Sequence, residues 1–150
     1  MTEPIVHRTR RGPATPQTLE TVHDDLESLW AEAGFVPEPD RMAFTLAVVE
    51  AVTNVIVHAV PVDGQSLELA LELTATPSQL LAQVYEINAA PVPIDLDGSA
   101  AVDGLAESGR GLALIQALVS TVAVDHRDGT NVWTLRRDTT GAPPEHPHTP

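Results

Sequence analysis

The chain has 150 residues, 43% of them hydrophobic, and a formal net charge of −13, which suits one acidic domain long enough to bury a real core. Such a surface disfavours direct DNA binding, which needs basic groups to displace phosphate counterions, and better fits a cationic protein partner. No cysteine is present, which excludes disulfides, thiolate nucleophiles and cysteine metal sites; with neither an apolar run of membrane-span length nor a signal-peptide core, a cytoplasmic protein without membrane contact is expected.

Residues 1–14 read as a short strand around Ile5–Arg8 or a loose arm, with Arg8, Arg10 and Arg11 as a solvated basic cluster. From Thr15 to Ala33 the apolar residues Leu19, Val22, Leu26 and Leu29 recur at helical spacing. Thr15 before Pro16 supplies an N-cap with proline in the first turn, and Gly34 a stop. A second helix follows the Pro-Glu-Pro-Asp break, with Asp40 as its expected cap, and ends before Pro61 and Gly64. Ser66–Thr74 alternates leucine with polar residues, the mark of a strand with one buried face. A turn at Thr76-Pro77-Ser78 leads to a second strand over Gln79–Ile87. Residues 88–108 show no sustained period, and a connection this long in a small domain reads as a functional lid or a disordered segment. Helical character returns at Gly111–Ser120, and Val122–His126 and Asn131–Arg136 flank Asp128-Gly129, a hairpin signal. The proline-rich tail, 138–150, is expected to be disordered. The predicted fold class is α+β, a two-layer sandwich with an antiparallel or mixed sheet and helices on one face.

Within the second helix, Glu50, Asn54 and His58 stand four residues apart and so share one face. They border an apolar arc of Phe44, Val48, Ala51, Val52, Val55 and Ala59. Polar groups beside a buried face need partners, which a bound ligand or metal can supply. Two other segments join them: Glu86-Ile87-Asn88 where the second strand meets the long loop, and Ser108-Gly109-Arg110-Gly111-Leu112 where that loop becomes a helix. Gly-x-Gly entering a helix presents backbone N–H groups at a positive dipole end, which suits phosphate.

Taken together these segments resemble the ATP-binding domain of the GHKL (Bergerat-fold) superfamily and, within it, the small anti-sigma-factor serine kinases of bacterial partner switching. EAVTNVIVHA is similar to the family's N-box, SGRGLALIQALVSTV to its second glycine box, and DGTNVWTLRR to its final hairpin. The resemblance spans roughly residues 15–137, which makes that stretch the expected ATPase-like domain, with 88–108 as its lid. It implies ATP and Mg²⁺ as cofactors, Asn54 as the metal ligand and Glu50 as the base for an attacking serine hydroxyl. It also places His58, Glu86, Asn88, Gly109, Arg110, Gly111, Leu112 and Thr130 around the nucleotide, Thr130 near the adenine. Implied partners are an RNA polymerase sigma factor and a STAS-type anti-anti-sigma antagonist, with a homodimer expected because family members commonly pair. One motif departs from the pattern. Where the family has Asp-x-Gly, its aspartate accepting from the adenine amino group, this chain has Glu86 and Asn88. That motivates an alternative reading: a protein-binding regulator that keeps the fold but has lost nucleotide and kinase activity.

Overall fold

A computed structural model describes residues 3–92 and 106–140. Its elements are β1 (Val6–Pro13), α1 (Pro16–Glu32), α2 (Glu38–His58), β2 (Glu68–Ala75), β3 (Gln79–Ile87), α3 (Ala106–Leu118), β4 (Thr121–Arg127) and β5 (Thr130–Asp138). The strands form one sheet in the order β1-β2-β3-β5-β4, and every neighbouring pair is antiparallel. The expected α+β two-layer class is therefore what the chain adopts, with a purely antiparallel sheet.

Alternation builds the two layers. Along β2 and β3 every second residue is buried, because successive side chains of a strand point to opposite faces. Leu69, Leu71, Leu73, Leu80, Ala82 and Val84 thus face inward, joined by Trp133 and Leu135 of β5. The helices complete the core with Val22, Leu26 and Leu29 of α1, Phe44, Val48, Val52 and Val55 of α2, and Ile115 of α3. Among the described helices α2 has the length and apolarity of a membrane span, against the expectation from sequence, yet its apolar arc is buried in this core. The β4–β5 turn has positive φ at both Asp128 and Gly129, the conformation a two-residue type I′ hairpin requires.

The basic cluster is not a free arm. β1 is a full edge strand in register with β2, and its arginines reach its neighbours. Arg10 makes a two-pronged contact with Asp25, 2.8 Å on each side, Arg8 pairs with Glu32 at 2.6 Å, and Arg11 with Glu68 at 2.9 Å. Three carboxylates thus give each guanidinium a partner, so the strand is tied to the body at both α1 and β2. The planar fork of arginine suits the Arg10–Asp25 geometry.

Asp40 differs from expectation as well. Pro37 occupies the cap position of α2, and Asp40 is fully buried in the first turn. It accepts from Arg137 Nε at 2.9 Å and from the backbone N–H and hydroxyl of Thr140 at 2.9 and 2.8 Å. Burial pushes its carboxyl up, but the bonds from Thr140 and Arg137 outweigh that and hold it below the usual range. Arg137 also donates to the carbonyl of Leu118 at the end of α3. One buried ion pair therefore joins α2, α3 and β5. The first residues of the expected 138–150 tail are structured, Asp138 ending β5 and Thr139 and Thr140 bonded to Pro77 and Asp40; the rest of that tail, 141–150, and residues 93–105 of the expected 88–108 lid lie outside the described residues.

Candidate functional site

Two groups of the expected site residues come together in different ways. The first is on α2. Glu50, Asn54 and His58 are half-buried on one side of the helix, and α3 crosses that side. A Cβ built on Gly111 would lie 2.8 Å from Glu50 Oε2, 3.0 Å from Asn54 Nδ2 and 3.1 Å from Asn54 Oδ1. Real Cβ atoms essentially never come as close as the first of these, so a side chain here would oblige the flexible Glu50 carboxylate to move aside and would crowd the Asn54 amide. Gly111 is buried with Leu112, whose side chain joins the core. α3 starts at Ala106 rather than Gly111, so Gly109, Arg110 and Gly111 lie within its first two turns instead of ahead of it. Only the first four N–H groups of a helix lack an internal partner. With Ala106 as the first helical residue the last of those four falls on Ser108, so Gly109 is the first residue whose N–H can bond back into the helix, and Gly111 serves by its missing side chain. The side chain of Arg110 is outside the described part.

A hard cation fits the first group by its donors. Mg²⁺ takes oxygen ligands and is held by one or two protein groups together with substrate phosphates and water. The Gly111 notch brings Asn54 Oδ1 and Glu50 Oε2 to one spot, which supplies that small donor set. Among the described residues no cluster of three His, Cys, Asp or Glu side chains is placed to form a self-sufficient metal cage.

The second group closes on itself. Glu86 is only 4% exposed. Its Oε1 accepts from Asn131 Nδ2 at 2.8 Å and its Oε2 from the Trp133 indole N–H at 2.6 Å. The other proton of Asn131 Nδ2 goes to the carbonyl of Ala90 at 2.7 Å, and its Oδ1 pairs with His126 Nδ1 at 2.6 Å. Burial raises the Glu86 carboxyl above the ordinary glutamate range, and the bonds from Asn131 and Trp133 pull it part of the way back. Register explains the grouping: Glu86 faces Asn131, and Ile87 faces Thr130. Directly opposed residues project to the same side of a sheet. Asn131 is therefore the neighbour of Glu86 on the helix side, whereas Thr130, expected near the base, projects from the other side.

Asn88 carries the turn after β3. Its φ is 65°, a left-handed conformation that asparagine tolerates better than most residues. Its side chain donates to the carbonyl of Ser66 at 2.9 Å and its own carbonyl accepts from Val62 at 2.8 Å. Ala89 then bonds to Gly129, and Ala90 to Val60. The segment leaving β3 is thus pinned between the α2–β2 connection and the β4–β5 hairpin. Asn131, Trp133 and His126 were not among the sequence candidates. The available signal was parity: a polar Asn131 at an inward position of β5, in register with another inward polar residue, Glu86.

Comparison with known proteins agrees with this architecture. No curated protein matches the chain. Among solved structures it is similar to the RsbU and RsbW domains of Rv1364c from Mycobacterium tuberculosis, at 23% identity and a TM-score of 0.61. That likeness covers 93% of this chain but 34% of the other, so the chain spans about a third of that protein's length, and the similarity is one of fold. The family profile of the histidine kinase-like ATPase domain matches residues 12–137, from the end of β1 nearly to the end of β5, and the chain belongs to that family.

Proposed function

We propose that this chain is a nucleotide-dependent protein serine kinase that acts as an anti-sigma factor. In this reading Asn54 holds the Mg²⁺ of Mg·ATP, which would neutralise phosphate charge. Glu50, half-buried beside it, takes the proton of a serine hydroxyl on an antagonist protein. The N-terminal turn of α3, up to Ser108, offers its free N–H groups to phosphate, and Gly109 and Gly111 set how closely the helix approaches α2. His58 closes the stripe at the end of the helix, and Asn88 shapes the turn beyond Glu86. The proposed body runs over residues 15–137 with β1 added to its sheet. The net charge of −13 suits a basic patch on the sigma factor that the kinase would hold.

The observation that carries the reading is the Gly111 notch over Glu50 and Asn54. A backbone without a side chain beside a carboxylate and a carboxamide leaves those two groups open to a cation and its phosphates, and the family supplies the ATPase context. The test adds labelled ATP and candidate antagonist proteins to the purified chain and looks for phosphoserine. Transfer by the intact protein but not by Glu50→Ala supports the kinase. Absence of transfer to every candidate, together with no calorimetric heat at millimolar Mg·ATP, would leave the second reading, a binding regulator without nucleotide. One feature favours that rival: the carboxylate expected at the base is occupied by Asn131 and Trp133.

A further inference from the structure

The helix layer carries one long surface that the fold leaves open. Met42, Leu46, Val49, Thr53 and Val57 follow one another along α2 at steps of three or four residues, so they share one face. Met42 is 67%, Leu46 46% and Val57 61% exposed, although the same helix supplies much of the core on its other side. From Met42 to Val57 this stripe runs about 22 Å. Beside its N-terminal half a groove of about 520 Å³ opens between the helices, with Trp30 of α1 on one wall and Met42, Leu46 and Val49 of α2 on the other. Trp30 has its indole N–H committed to Thr45 at 2.8 Å, so the groove offers apolar surface with one free cation, Arg41, near the start of α2.

Six of the seven arginines with described side chains lie within 3.6 Å of a carboxylate. Among the described residues Arg41 is the exception, in a chain with 21 acidic residues, and its Nε is buried with no hydrogen-bond partner. Glu38 lines the same groove one turn earlier, yet no ion pair joins the two. A buried donor without an acceptor is costly, and an incoming carboxylate relieves that cost. We infer that the α1–α2 groove docks an amphipathic helix of a partner protein, its apolar ridge on Met42, Leu46 and Val49 and a carboxylate on Arg41. A helix suits this surface better than a small apolar acid, because the exposed stripe continues past the groove to Val57. A second copy of the chain suits it less, since each carries a charge of −13 and the two repel. The inference does not depend on nucleotide. Glu50 follows Leu46 by one turn, so the docked protein lies beside the proposed base.

The test uses the intact protein and a fluorescein-labelled synthetic helix of about 18 residues, long enough to cover the stripe. It carries leucines on one face, one glutamate beside the last leucine, and lysines on the opposite face; a matched peptide has glutamine for the glutamate. By net charge alone the acidic protein favours the glutamine peptide, so a preference for glutamate reports a local cation. Fluorescence anisotropy is expected to show the glutamate peptide binding about tenfold more tightly, the scale of a hydrogen bond to a charged group. Arg41→Gln is expected to erase that preference, Arg127→Gln on the distant β4 to keep it, and Leu46→Gln to weaken both peptides without altering the circular dichroism of the fold. Equal binding of the two peptides, or a preference that survives in Arg41→Gln, overturns the inference. So does binding of neither peptide, whether or not dodecanoate binds in their place. A dimer that Leu46→Gln dissociates, seen by sedimentation, would assign the face to a second copy and overturn it as well.

Discussion

The two ends of the candidate site differ in what their polar groups already touch. On α2, Glu50 and Asn54 are half-buried and meet the bare backbone of Gly111. At the end of β3, Glu86 is buried and bonded on both oxygens by its own chain. In the function proposed above the first end is where the ligand binds, whereas the second is a structural joint. Family motifs alone assign both to the same ligand, whereas the hydrogen bonds of Glu86 to Asn131 and Trp133 give that carboxylate a structural task of its own.

Substitutions can break this contrast, starting with the largest expected effect. Glu50→Ala is expected to lower phosphoryl transfer by about 10²–10⁴-fold, the usual contribution of a positioned acid or base, with little change in the denaturation midpoint. A large loss of stability instead would move Glu50 to the structural side. Asn131→Ala should do the opposite. It leaves Glu86 Oε1, the Ala90 carbonyl and His126 without a partner and is expected to cost about 1–3 kcal/mol of stability, read by urea unfolding. Stability unchanged by that variant would mean the bonds around Glu86 carry no weight. Gly111→Ala sharpens the first end: the added methyl would press on Glu50 and Asn54, and nucleotide affinity is expected to fall about tenfold. Helix propensity favours alanine by about 1 kcal/mol, so a binding loss without destabilisation is the result that identifies a site.

The smallest effect is in the pH dependence. The folded Glu86 carboxyl titrates above its unfolded value, so the folded state binds more protons in the interval between the two. Stability is then full below the unfolded value and declines as pH rises through the folded one. Glu86→Gln should remove that decline, and an unchanged profile would refute the assignment. Asp40 supplies the acid limb with the opposite sign. Its lowered value gives stability that is present above the unfolded range and lost as pH falls through the folded one.

Much of the fold was legible because it depends on local periodicity. The alternation of Leu69, Leu71 and Leu73 places β2, and Asp128-Gly129 places the hairpin. The four-residue spacing of Glu50, Asn54 and His58 puts them on one face of α2 wherever that helix lies. Other features depend on partners distant in sequence. Arg10 looked solvated until Asp25, 15 residues away, turned up beneath it. Asp40 resembled a helix cap, although its partners Arg137 and Thr140 lie 97 and 100 residues further on. The start of α3 was missed because a glycine-rich stretch looks like a loop on propensity alone. Packing against α2 overrides that preference and uses the missing side chain.

By itself, then, the sequence determined the layer architecture and the stripe of polar residues on α2, since hydrophobic spacing and turn chemistry act over a few residues. Tertiary structure alone decided what that stripe faces and what Glu86 does. Whether a buried carboxylate serves a ligand or its own fold depends on which donors register brings opposite it. For Glu86 those donors are Asn131 and Trp133, more than forty residues along the chain.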